Sequence, residues 1–224
     1  MIAVVDYKAG NLTSVIKALR AVGAHITVTE DPAVVRRAEK IVLPGVGHFS
    51  ATSVLEANGL KDAMAERIAQ GVPFLGICVG LQWLLDGSVE ALQHRGLGYF
   101  RGTCERFPDG SAKVPHVGWN HILPRISPSS RLFAGMEHEQ NQLVYFTHSY
   151  FVPQTVRYHP RAVPAPDSGS PQITNPTAAI TTYPERHVFT SAVEHDNVMG
   201  VQFHPEKSGV TGLRILRNFV ELPC

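Results

Sequence analysis

Four apolar runs of strand length, at residues 2–6, 26–28, 40–43 and 74–77, recur through the first third of this 224-residue chain. Between them the apolar spacing changes. Leu12, Val15, Ile16, Leu19 and Val22 fall on one helical face, with Asn11 placed as its N-cap, and a second helical pattern covers residues 60–69. A strand returned by a helix into another strand makes parallel pairing the natural outcome, and the helices then cover the sheet. The predicted fold is α/β, an open mixed, mostly parallel sheet flanked by helices. The length suits one such domain over residues 1–224.

Beyond Gly98 the pattern turns to short strands and turns, of which residues 145–152 are the clearest strand. Residues 153–184 hold seven prolines and the run Asp167-Ser168-Gly169-Ser170, which predicts a long surface loop inserted in the domain. Residues 188–193 and 198–203 are expected to pair across the turn 194–197. A closing helix from near Val210 carries Leu213, Leu216, Phe219 and Val220.

Charge excludes some functions. The net charge is +1 with no basic block, so nothing here is built to hold nucleic acid. No apolar run approaches the roughly 20 residues of a membrane span, so no membrane partner is expected. The chain enters a strand at Ile2 without a signal-peptide pattern, and its three cysteines are too scattered for a disulfide framework or a zinc site, which together predict a cytoplasmic protein. Charged residues make up 17%, below the usual share of about 25%, as expected if a partner covers part of the surface.

The chemistry concentrates at Gly76-Ile77-Cys78-Val79-Gly80. A thiol bracketed by glycines at the end of a strand is the cysteine form of a nucleophile elbow, in which the chain reverses into a helix and exposes one reactive side chain. The helix N-terminus aims unpaired N–H groups at the sulfur and favours thiolate. Read alone, the same cysteine could be a small buried hydrophobe. His204 and Glu206 stand two apart just past a strand, where extended backbone puts both on one side, so the carboxylate can orient the imidazole. Pro44-Gly45-Val46-Gly47 can turn backbone N–H groups toward a developing oxyanion, or can be an ordinary strand-to-helix turn.

Taken together, Pro44-Gly45-x-Gly47, Gly76-Ile77-Cys78-x-Gly80-x-Gln82 and Gln202-Phe203-His204-Pro205-Glu206 resemble the class I, triad-type glutamine amidotransferases, a flavodoxin-like fold. Asp6-Tyr7 with Gly10-Asn11-Leu12, Val114 to Asn120, His148-Ser149-Tyr150 and His204 to Ser208 resemble the branch formed by the glutaminase subunits of imidazole glycerol phosphate synthase. The resemblance implies L-glutamine as substrate, Cys78 as nucleophile, His204 as proton carrier and Glu206 as its orienter. It implies an oxyanion hole from Val79 and the Gly45, Val46, Gly47 turn, and glutamine contacts from Gly47, Gln82, Glu90, Ser149 and Tyr150, with no cofactor and no metal. It further implies ammonia transfer to a (β/α)₈ synthase subunit in a heterodimer, which cyclises a ribulosyl-aminoimidazole intermediate to imidazole glycerol phosphate and aminoimidazole carboxamide ribotide. Asn11, Trp119, Asn120 and Lys207 match positions at that partner's contact. Two readings stay open beside it: the glutaminase of a different synthase, and an inactive regulatory subunit with the same fold.

Lys8-Ala9 departs from the small residues usual in this branch, and the loop at 153–184 is longer than usual. His148 is a candidate for positioning the glutamine pocket. His48, His138, His159, His187 and His195 are expected to be surface or turn residues, and Cys104 and Cys224 carry no predicted chemistry.

Overall fold

The computed structural model describes residues 1–8, 12–108, 113–125, 130–136, 142–158, 174–183 and 187–223. Asn11, Ala9, Cys224, His138, His159 and the centre of the proline-rich segment lie outside the described residues.

Strands β1 (Ile2–Val5), β2 (Ile26–Thr29), β3 (Lys40–Gly45) and β4 (Phe74–Cys78) lie in the order β2-β1-β3-β4, and Val198–Val201 follows beside β4. These five strands are parallel. Val188–His195, Thr177–Thr182 and Leu123–Pro124 then extend the sheet antiparallel. Apart from the edge strand β2, the parallel strands are buried on both faces, which is why they read as apolar runs.

Alternation along each strand divides the core in two. Val4, Val42, Leu75, Ile77, Met199 and Val201 face one side, where they join Val15 and Leu19 of helix α1 (Leu12–Ala21) and Ile215, Leu216 and Phe219 of the helix Gly209–Glu221. Ala3, Val5, Ile41, Leu43, Phe74 and Val198 face the other, with Leu60, Met64 and Ile68 of the helix Leu60–Ala69. Fully burying each such large aliphatic or aromatic side chain contributes about 1.5–3 kcal/mol. Among the described residues no helix is long and apolar enough to cross a membrane.

Three details differ from the sequence reading. The strand expected over 145–152 is two strands: Leu143–His148 pairs with His116–His121, the chain breaks at Ser149, and Tyr150–Phe151 pairs with Thr103–Arg106. The break is held by Phe107 N–H donating to the Ser149 carbonyl at 3.2 Å. Within the segment read as loop, Arg157–Tyr158 is a short strand and Thr177–Thr182 is a strand of the main sheet. Its Thr and Ala residues carry little apolar signal, and Pro176 precedes its first residue, a position where a proline does not break the ladder. The hairpin turn is shorter than expected, because Val188–His195 runs on to Asp196, which turns the chain at φ 49.

Candidate active site

β4 lies between β3 and the Val198–Val201 strand, with Cys78 in register with Gly45 and Ile77 in register with Val201. Two neighbouring strands therefore deliver the glycine turn and the histidine loop to either side of the thiol. Cys78 ends β4 at φ 55, ψ −107, and the helix Val79–Trp83 starts at the next residue. That backbone is strained for a residue with a Cβ, by roughly 1–3 kcal/mol. The bracketing glycines are steric necessities. A Cβ on Gly80 would overlap the Leu43 carbonyl of β3, and one on Gly76 would come within 2.5 Å of the Gly80 carbonyl.

On the other side, His204 is extended at φ −101, ψ 95 and opens the short turn Pro205–Lys207. Its Nδ1 lies 2.8 Å from Glu206 Oε1, with 1% and 3% of the two side chains exposed. The loop is fastened at both ends: His204 N–H donates to the Tyr145 carbonyl at 2.8 Å, and the Ser208 hydroxyl donates to the His204 carbonyl at 2.6 Å. Burial alone would push the His204 imidazolium down, but the pull of Cys78 and Glu206 outweighs it and holds the group up at about 10. His204 Nε2 and Glu206 Oε2 are buried without a hydrogen-bond partner. Cys78 raises the ring through hydrogen bonding first and through charge second, although the contact at Nε2 is too loose to count as a closed bond.

A cavity of about 250 Å³ opens beside the thiol, lined by Val46, Gly47, Cys78, Val79, Gln82 and Glu90, and across from them by Pro115 and Thr147 to Tyr150. All five residues expected to contact glutamine are in this wall. Gly45 lies behind it, buried, with the Tyr7 hydroxyl where its Cβ would be. Burial, and then the charge of Cys78, push the Tyr7 phenol up, so it stays neutral. Glu90 Oε2 accepts from the Phe49 N–H at 2.7 Å, tying the cavity wall to the chain just past the glycine turn.

Gln202 escaped the sequence reading. It is fully buried, and its Nε2 lies 3.6 Å from Cys78 Sγ. Gln82 Nε2 donates to Gln202 Oε1 at 3.2 Å and to the Tyr150 carbonyl at 3.0 Å. The signal was present, since the alternation that pairs His204 with Glu206 also puts Gln202 on the His204 side.

The histidines form a second buried array. His148 Nδ1 meets the Tyr150 carbonyl at 2.8 Å and so must carry the proton, which makes its Nε2 the acceptor for His116 Nδ1 at 3.2 Å. Asn120 Nδ2 stands 3.4 Å from His116 Nε2 and donates to the Thr182 carbonyl at 3.1 Å. Burial pushes His116 down to about 4 and, with His116 adding to it, His148 down to about 3, so both are neutral. Two histidines expected on the surface are packed instead: His187 against the ring of Phe151, centroids 4.6 Å apart, and His195 stacked on Tyr158 at 3.5 Å. His48 does cap a turn, accepting from Ser50 N–H at 3.2 Å.

Trp119 is 55% exposed, on the outer face of the His116–His121 strand. Its ring meets Tyr145 edge-on at 6.1 Å, and Lys207 Nζ sits over Tyr145 at 5.8 Å, so the three make one exposed surface. Lys8 is held to Asp6 at 3.1 Å and Glu30 at 3.2 Å.

A buried Cys–His–Glu set at the carboxyl ends of a mostly parallel sheet, opening on a small polar cavity, defines a class. Residues 3–222 match the family described as Glutamine amidotransferase class-I, and the chain belongs to that family. Solved structures share its fold: a glutamine amidotransferase at 16% identity, covering 99% of this chain and 98% of that one with a TM-score of 0.67. The glutaminase domain of the Trypanosoma brucei CTPS is also 16% identical, covers 100% and 94%, and gives a TM-score of 0.62. Within the family the likeness is narrower. The imidazole glycerol phosphate synthase subunit HisH of Methanothermobacter thermautotrophicus is 44% identical over 99% of this chain and 98% of its own length. The HisH of Thermococcus kodakarensis is 44% identical over 99% and 100%. The chain is thus a member of the HisH group.

Proposed function

We propose that this chain hydrolyses L-glutamine to glutamate and ammonia, and delivers the ammonia to a synthase subunit that completes imidazole glycerol phosphate and aminoimidazole carboxamide ribotide in histidine biosynthesis. The observation that carries the reading is Cys78 beside a buried His204–Glu206 pair, whose Nδ1 and Oε1 are 2.8 Å apart, on the wall of a cavity of about 250 Å³. That volume suits a small amino acid rather than a peptide or nucleotide.

The charge states supply a mechanism. With its imidazolium held up at about 10, His204 is protonated at neutral pH and favours the thiolate of Cys78. The sulfur attacks the side-chain amide carbon of glutamine, the carbonyl π bond breaks toward oxygen, and the Val79 N–H with the Gly45–Gly47 turn takes up the oxyanion. As the tetrahedral intermediate collapses, the C–N bond breaks and His204 gives its proton to the leaving nitrogen. The γ-glutamyl thioester carries no charge on sulfur, so the pull of Cys78 on His204 is gone while its burial remains. Having given its proton to ammonia, the ring is neutral and serves as the base that activates water, and Glu206 holds its orientation through both half-reactions. Gly47, Glu90, Ser149 and Tyr150 line the space for the substrate. Gln82 is a wall residue whose amide nitrogen is already engaged with Tyr150 and Gln202.

Ammonia set free in water at neutral pH becomes ammonium, a poor nucleophile, so the product is useful only if it passes directly to a second active site. A heterodimer in the cytoplasm is the arrangement that suits this need, with both described cysteines free. The exposed Trp119, Tyr145 and Lys207 surface offers the aromatic and cationic anchors that protein interfaces favour. Asn120 contributes less directly, because its amide is bonded within the chain.

Cys78→Ala tests the reading. In the complex with the synthase subunit, glutamine-dependent synthesis should fall by about 10⁴-fold or more while synthesis from added ammonium salt is kept. Retained glutamine turnover would remove Cys78 from the mechanism.

A further inference from the structure

Gln202 is fully buried, and the reaction above gives it no task, yet its amide nitrogen is within reach of the Cys78 sulfur, 3.6 Å from Nε2 to Sγ. An amide can present either of its ends to a neighbour, so the question is what aims it. The answer lies in a chain of bonds with one end that cannot reverse. The Tyr150 carbonyl can only accept, so the Gln82 nitrogen 3.0 Å away must donate to it. The second N–H on that nitrogen then needs an acceptor, and Gln202 Oε1 stands 3.2 Å away. With its oxygen engaged, Gln202 can offer only N–H to the sulfur. Its own backbone is pinned as well, its N–H donating to the Ser191 carbonyl at 2.9 Å.

We propose that Gln202 is a catalytic residue whose amide N–H stabilises and aims the Cys78 thiolate, and that Gln82 is the positioning residue that keeps that N–H turned toward sulfur. The proposal rests on Cys78 being the nucleophile. A hydrogen bond to a thiolate is charge-assisted and favours the ionised form over the thiol, and exclusion of water strengthens it. His204 cannot do this alone, because it must surrender its proton to the leaving nitrogen. Gln202 keeps a donor on the sulfur that is never spent. The other titratable groups around the thiol are His204 with Glu206, Tyr7 behind the glycine turn, the buried Cys104, and Glu90, His148 and Tyr150 in the cavity wall. None of them is removed by a change at Gln202.

The test is the pH dependence of Cys78 alkylation by iodoacetamide in the full chain, with Cys78→Ala as the background and Cys104 fully buried. Gln202→Met keeps the length and loses the donor. It should slow alkylation at neutral pH by roughly 10- to 100-fold, move the midpoint upward, and lower kcat for glutamine with little change in KM. Gln82→Met should shift the midpoint in the same direction by less. If Gln202→Met does not fold, Gln202→Glu places a carboxylate against the sulfur and should shift the midpoint further still. A folded variant at Gln202 with the wild-type alkylation profile would overturn the proposal. That outcome is separable from failure of the nucleophile assignment, which would appear as glutamine turnover surviving in Cys78→Ala.

Discussion

The two halves of the sheet are built on different terms. From β2 to Val198–Val201 the strands are parallel, and all but the edge strand β2 are buried on both faces and rich in apolar residues. From Val188–His195 to Leu123–Pro124 they are antiparallel, and the two outermost strands are Thr- and Ala-rich or only two residues long. Precision is kept in the parallel half. The site forms at the last parallel pair, where Cys78 leaves β4 and His204 lies three residues past Val201. Both the proposed nucleophile and the proposed base follow strands whose one-residue slip would repack both faces of the core at once. The antiparallel margin extends the sheet from there and leaves that geometry undisturbed.

Changes at the junction should therefore matter most. His204→Ala should cut glutamine hydrolysis by about 10⁴-fold, and Glu206→Gln by less, roughly 10²-fold, because a base remains when only its orienter is weakened. Equal losses in steady-state rates would show that Glu206 does more than orient.

Next comes stability. Leu75, fully buried in β4, and Leu123, 59% exposed in the edge strand, make a matched pair of leucines. Leu75→Ala should cost about 2–5 kcal/mol in denaturant unfolding, and Leu123→Ala no more than about 0.5 kcal/mol. Comparable costs would mean that the margin is as essential to the fold as the parallel half.

The smallest effect lies at the thiol itself. If β4 stores strain at φ 55 to present Cys78, then Cys78→Gly should be more stable than Cys78→Ala by about 1 kcal/mol, although both are inactive. Glycine is otherwise the poorer residue for folding, so a thermal-melt comparison with the opposite sign would show that the elbow is unstrained.

The same division governed what could be read beforehand. Strands buried on both faces announce themselves as apolar runs, and the helices between them as periodic stripes, so the parallel half was legible. Cys78, His204 and Glu206 were legible because each needs a special local setting: glycines where backbones nearly touch, and a two-residue spacing on extended chain. Thr177–Thr182 was not, because its burial comes from neighbours on both sides rather than from its own hydrophobicity. Gln202 and the His116–His148 pair were not, because a buried polar group takes its meaning from partners far away in sequence. Gln202 meets Gln82 across 120 positions. Local alternation gives the side that Gln202 faces but not the partner it meets there.

In the proposed mechanism Cys78, freed by its elbow and served by His204, carries the γ-glutamyl group. The most direct measurement is mass analysis of peptides from the complex, quenched in acid during turnover with glutamine. A γ-glutamyl adduct is expected on the peptide bearing Cys78, accumulating further in Glu206→Gln, where deacylation is slowed. Glutamate produced at full rate with the adduct on another residue, or with Cys78 never modified, would contradict it.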